Sequence, residues 1–264
     1  MKKKLLAGVL ALTMAISFMA CGSSSSSDSE SDVSYIKEKG TLIVGITDFA
    51  PMDYKDSDGE WIGFDAELAT KVAESLGVEV EFVEIDWDNK ILELENKSID
   101  VVWNGMTLTS EVTSAMECSN AYLNNAQVVV VSSSVADSIT SIDDVMDYSF
   151  AVEAGSAGEA AAMDAGLDYI SVSAQSDAVM EVEAGTSDAC IIDLLMAGAM
   201  IGDGTSYPNL VHTLELTTEE YGVGCRKGSD LAEYINEELK ALYADGTLDE
   251  IARAYGVQDA VVAQ

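Results

Sequence analysis

Short apolar runs alternate with amphipathic stretches along most of the chain. Thr41 to Ile46 is rich in Ile and Val, the pattern of a strand covered on both faces. A loop with Phe49 and Pro51 follows, then the turn chemistry of Asp56-Ser57-Asp58-Gly59, then a helix expected from near Asp65 through Leu68, Val72 and Leu76. The same reading predicts a second strand over 78–85, a short helix over 91–96 and a third strand over 99–103. Strand, helix and strand in succession imply a mainly parallel α/β sheet. In such sheets ligands collect just beyond the carboxyl ends of the strands, so 47–54 and Asn104-Gly105-Met106-Thr107-Leu108-Thr109 should face one cleft.

Beyond these elements, 127–131 reads as an extended crossover, and a second, similar unit opens at 149–152. Gly155-Ser156-Ala157-Gly158-Glu159 lies between that strand and an Ala-rich helix, where small residues let backbone amides approach a ligand at a helix N-terminus. Strands at 169–172 and 189–192 flank a helix at 177–184, and Asp193 stands at the last strand's end. Helices at 231–244 and 248–255 close the chain, separated by the stop, turn and restart of Asp245-Gly246-Thr247. Hinge segments are expected near 128–132 and 221–225, which are extended and, in the second case, contain Gly.

The N-terminus changes the picture of where this body works. Lys2-Lys3-Lys4, an apolar run from Leu5 to Met19, then Ala20-Cys21, Gly22 and five serines have the three-part form of a bacterial signal peptide over 1–20. A small residue before Cys21 looks like a lipobox, with Phe18 where an aliphatic is usual. Cys21 is therefore the expected lipidation site, and 21–34 an acidic, Ser-rich linker too polar to order itself, with a reach of roughly 18 Å. Such an anchor places the protein outside the cytoplasm on the cell membrane, in the manner of a Gram-positive lipoprotein.

Charge narrows the partners. Without its three leading lysines the body has 10 basic residues against 47 acidic ones, a net charge near −37. That excludes nucleic acid and favours a zwitterionic or cationic solute over an anionic one. Cys118, Cys190 and Cys225 are widely spaced in apolar surroundings and read as buried thiols, while His212 has no Cys or His companion. No metal site is expected.

Gly63-Phe64-Asp65-Ala66-Glu67-Leu68-Ala69, set behind Phe49-Ala50-Pro51, resembles the signature of the polar amino-acid solute-binding proteins of ABC importers. The resemblance extends over nearly all of the chain after Tyr35. It implies a two-lobed periplasmic-binding-protein-like fold of type II, with 35–130 and 222–264 forming lobe 1, 131–221 forming lobe 2, and two crossover strands as the hinge. It further implies a monomer that closes on a small polar solute and visits an ABC permease and ATPase.

Carried over position by position, the resemblance places Phe49 over the solute's side chain and Trp87 on its distal end. Asn104, Gly105 and Thr107 would hold its α-carboxylate or amine, Ser156 and Gly158 would cradle an anion, and Asp193 would take its ammonium; Asp193 also reads as a helix N-cap. Trp103 reads as strand packing.

One position departs from the family. Its T-x-E-R run, whose Arg clamps the carboxylate, is here Thr109-Ser110-Glu111-Val112. With no positive side chain in evidence, an amine-bearing or neutral polar solute is expected in preference to a free α-amino acid. Exported dehydratases resembling cyclohexadienyl or arogenate dehydratase share the fold, and Glu153 or Asp193 would then be the acid or base. Such an enzyme needs a cation for its anionic substrate, so the reading is of a binding protein with no catalytic residues and no cofactor. A sensor lobe read by a partner kinase is the remaining alternative.

Overall fold

Two five-stranded sheets, joined by a two-stranded ribbon, organise the computed structural model, which describes residues 31–264. Residues 1–20, Cys21 and all but the end of the linker lie outside the described residues. In the first sheet the spatial order is Glu79–Glu84, Thr41–Ile46, Val101–Val102, Gly224–Cys225, Glu117–Cys118. The first three of these strands run parallel and the last two add antiparallel pairings. In the second sheet the order is Asp168–Val172, Ser149–Glu153, Ala189–Asp193, Gln127–Ser132, Leu210–Glu215, with Gln127–Ser132 antiparallel to both neighbours.

Local pattern explains why these segments fold as they do. The helix Phe64–Leu76 buries Phe64, Leu68, Val72 and Leu76, one face at i, i+4 spacing, and stops where Gly77 turns left-handed and returns its N–H to Ala73. Each such apolar side chain contributes about 1.5–3 kcal/mol when removed from water. In the second sheet Val129, Val131, Phe150, Val152 and Ile191 join one cluster, while Val128, Val130, Ala151, Cys190 and Ile192 join another. Alternate residues thus feed opposite faces, and helices cover both.

The lobe boundary differs from the expected one. Gln127–Ser132 is not a crossover: it pairs along its length with Ala189–Asp193, and five of its six residues are buried. A strand fixed on both edges and both faces cannot serve as a hinge. The crossings are instead Leu123–Asn125 and Glu219–Tyr221, which pair antiparallel with each other, so the first lobe ends near 126 rather than 130. The third strand is also shorter than expected, Val101–Val102, although the Trp103 N–H still reaches Gly45 O at 3.3 Å. Cys118, Cys190 and Cys225 are unpaired thiols, the last two buried and Cys118 half-buried. His212 is exposed on its strand. Among the described residues no helix is long and apolar enough to cross a membrane.

Candidate ligand-binding site

A cavity of about 340 Å³ opens between the lobes, at the carboxyl ends of the central strands. Phe49, Trp87, Asn104, Gly105, Thr107, Ser156 and Asp193 all line it. Phe49 leaves a strand end and sets its ring edge-on to Tyr221, centroids 6.4 Å apart. Gly105 makes this packing possible. A Cβ at Gly105 would lie 2.5 Å from the Phe49 ring and 3.0 Å from that of Tyr221, and its φ of +56° is a conformation that favours glycine.

Several expected roles change once the hydrogen bonds are followed. The Gly105 N–H donates to Asp65 Oδ2 at 2.6 Å, so it is already used inside the protein. Asn104 accepts from Thr47 N at 3.0 Å and donates to Thr47 Oγ1 at 2.9 Å, tying two strand-end loops together rather than reaching for a solute. Thr107 donates to Glu219 Oε1 at 3.0 Å. Ser156 caps the helix Ala157–Ala165 by accepting from Glu159 N at 3.1 Å. Gly158 does not line the cavity. A Cβ there would come within 3.0 Å of Gln127 Oε1 and Ile191 O, so this glycine lets the helix sit on the sheet. Trp103 is fully buried and packs on Tyr122, as its strand position suggests.

Asp193 begins a helix but makes no capping bond. Its carboxylate instead accepts from Tyr221 OH at 2.6 Å, Gln127 Nε2 at 3.0 Å, Asn125 and Gln175. All four donors are neutral, and burial, with Glu219 adding to it, raises the pKa of this carboxyl above the usual carboxylate range. Asn125 and Gln127 also donate to Glu219 Oε1, at 2.7 and 2.8 Å. Hinge ribbon, second sheet and cavity floor therefore share one polar network.

Three lining residues were not identified as binding positions. Gln175 supplies both an N–H and an oxygen to Asp193, accepting the latter's backbone N–H at 2.8 Å. Glu153 is 2% exposed and its Oε1 has no hydrogen-bond partner. Burial, helped by Asp193 and opposed by Lys90, pushes its carboxyl up to about 8. Lys90 brings into the cavity the positive side chain that seemed to be missing. Its Nζ donates to Gly155 O at 2.8 Å and Trp87 O at 3.2 Å and lies 4.9 Å from the centre of the Trp87 ring. Burial lowers its pKa, against the pull of Glu153, Glu111 and Asp88. The local signal was the i, i+3 spacing of Trp87 and Lys90, which puts both on one helical face.

At position 112 no clamp forms. Val112 is 4% exposed and packs with Trp87, Met106 and Met116. Across the cleft the lobes meet at Gly155, where a Cβ would lie 2.6 Å from Asp88 Cα.

Comparison with known proteins agrees with this geometry. The family model for bacterial extracellular solute-binding proteins, family 3, matches residues 42–258. The arginine-binding extracellular protein ArtP of Bacillus subtilis is 30% identical over 260 residues, covering 96% of this chain and 98% of that one. A crystal structure of a variant of ArgBP from T. maritima superposes with a TM-score of 0.80 at 31% identity, covering 85% of this chain and 99% of the other. The ancestral amino acid-binding protein AncCDT-1, a precursor of cyclohexadienyl dehydratase, gives a TM-score of 0.78 at 33% identity over 85% and 99% of the two chains.

Proposed function

Because the chain belongs to the family 3 bacterial extracellular solute-binding proteins, receptors that serve ABC importers, we propose that its own solute is a small, net-cationic amino acid or amino-acid-like amine. The observation that carries this reading is the unpartnered, buried Glu153 Oε1 beside Asp193 in the cavity. An ammonium or guanidinium supplies the missing donor, and a charge-assisted bond of this kind is worth about 1.5–3 kcal/mol. Phe49 and Trp87 add flat faces on which a cation can be desolvated. Relatives whose names specify arginine binding support the same class. The relatives compared above are binding proteins, the reconstructed one included, and binding rather than dehydration is carried forward.

A thermal-shift panel of arginine, lysine, histidine, glutamine, glutamate and putrescine tests the class. A solute at about a hundred times its Kd stabilises by about 2.7 kcal/mol, several degrees for a body of this size. Cationic members should raise the Tm and glutamate should not, and in Glu153→Gln a tenfold loss of affinity should cut the stabilisation at the same concentration to about 1.4 kcal/mol. Stabilisation by glutamate or glutamine alone refutes the charge class.

We also propose that the receptor acts as a monomer, lipidated at Cys21 and held on the outer face of the cell membrane. Fractionation of Cys21→Ala should find it in the supernatant or uncleaved, and a cleaved form that stays with the membrane would contradict the anchor.

A further inference from the structure

We propose that Lys90 is the specificity-determining residue that receives the solute's carboxylate, in place of the side chain absent at position 112. This inference rests on the solute-binding reading above. Lys90 opens the helix Lys90–Glu95 of the first lobe, is 8% exposed and lines the cavity. An ammonium has three N–H directions. Two go to the neutral carbonyls of Trp87 and Gly155, which leaves one for the cavity and neither partner charged.

The second lobe brings complementary groups to the same point. Gly155 immediately precedes the Ser156 cap of the helix Ala157–Ala165. Among the described residues the N–H of Ala157, which lines the cavity, has no protein acceptor, while that of Glu159 is taken by Ser156. A cation from one lobe and a helix N-terminus from the other thus face one spot, and a carboxylate there satisfies both.

The acidic neighbours do not close this position. Glu159 is committed, its Oε2 to Gly155 N at 2.8 Å and its Oε1 to Ser171 Oγ at 2.6 Å. Glu153, Glu111 and Asp88 add negative charge around the ammonium, but its hydrogen bonds go to the two carbonyls alone. The Trp87 ring over Nζ restricts the side chain, and a cation only 8% exposed gains from a charged partner.

Calorimetric titration of the exported protein with arginine and agmatine, and with lysine and cadaverine, isolates the carboxylate, since each pair differs only by that group. The parent should bind the amino acid at least tenfold more tightly than the decarboxylated amine. Lys90→Met should bring the ratio close to one by weakening the amino acid alone, Lys90→Arg should restore it, and circular dichroism should show both variants folded. A parent that does not distinguish the pairs, or a folded Lys90→Met that still does, overturns the proposal. If none of the four binds, the cationic class fails instead. Lys90 is then judged by the same variants on the panel's best amino acid against its carboxamide, and a panel in which nothing binds overturns both.

Discussion

The carboxyl groups of Asp53, Asp65, Glu153 and Asp193 are buried, each at most 4% exposed, and unlike the equally buried Asp100 none of them forms an ion pair among the described residues. Neither oxygen of Asp53 has a donor, and Asp65 shares its Oδ2 between Gly105 N and Tyr122 OH. Burial comes first among the causes for all four and pushes their pKa values up. An acid whose pKa is raised by folding keeps its proton in the native state after the unfolded chain has released it. Stability therefore falls as pH rises from the ordinary carboxylate range, near 4.5 for glutamate, until the folded group itself ionises, at about 8 for Glu153. Each group contributes a slope of up to about 1.4 kcal/mol per pH unit in that window. Thermal melts should accordingly give a higher Tm at pH 5 than at pH 8. Glu153→Gln should flatten part of that slope and raise the Tm at pH 8, and an unaltered slope in the variant would count against a buried, proton-holding Glu153. Surface repulsion acts in the same direction, but it is common to parent and variant and cancels in their difference.

At the scale of elements, what depended on local pattern could be read from the sequence and what depended on distant partners could not. The helix Phe64–Leu76 announces itself by its i, i+4 apolar face and its terminal glycine. Asp193 ends its strand and Phe49 lies in the loop just beyond Ile46, so their place at the cleft follows from chain order. Gln127–Ser132 is a different case. Its valine run identifies a strand, yet the sheet it joins is decided by Ala189–Asp193, some sixty residues later. Lys90 was overlooked for the same reason, since the carbonyl that fixes it across the cleft belongs to Gly155, 65 positions away. Gly158 shows a subtler limit: a glycine that admits a ligand and one that admits a neighbouring strand look alike in sequence, and the 3.0 Å approaches of Gln127 Oε1 and Ile191 O separate them. Absence was the most readable feature, because Val112 offers no positive charge whatever surrounds it.

The whole molecule is two rigid sheets with a single slender connection. Among the described residues every long strand is committed to one lobe, and only Leu123–Asn125 and Glu219–Tyr221 pass between them. Small-angle scattering should therefore report a smaller radius of gyration when the panel's best solute saturates the protein, with the far-ultraviolet spectrum constant. An unchanged radius at saturation would argue against hinge closure. The two crossings are also bonded to each other, through Glu219 to Asn125, Tyr221 to Leu123 and the Tyr122 N–H to Tyr221 O at 3.0 Å. Neither can twist without carrying the other, so the lobes are expected to close about one shared axis, and occupancy would then reach a transporter as a single yes-or-no signal, whatever is bound.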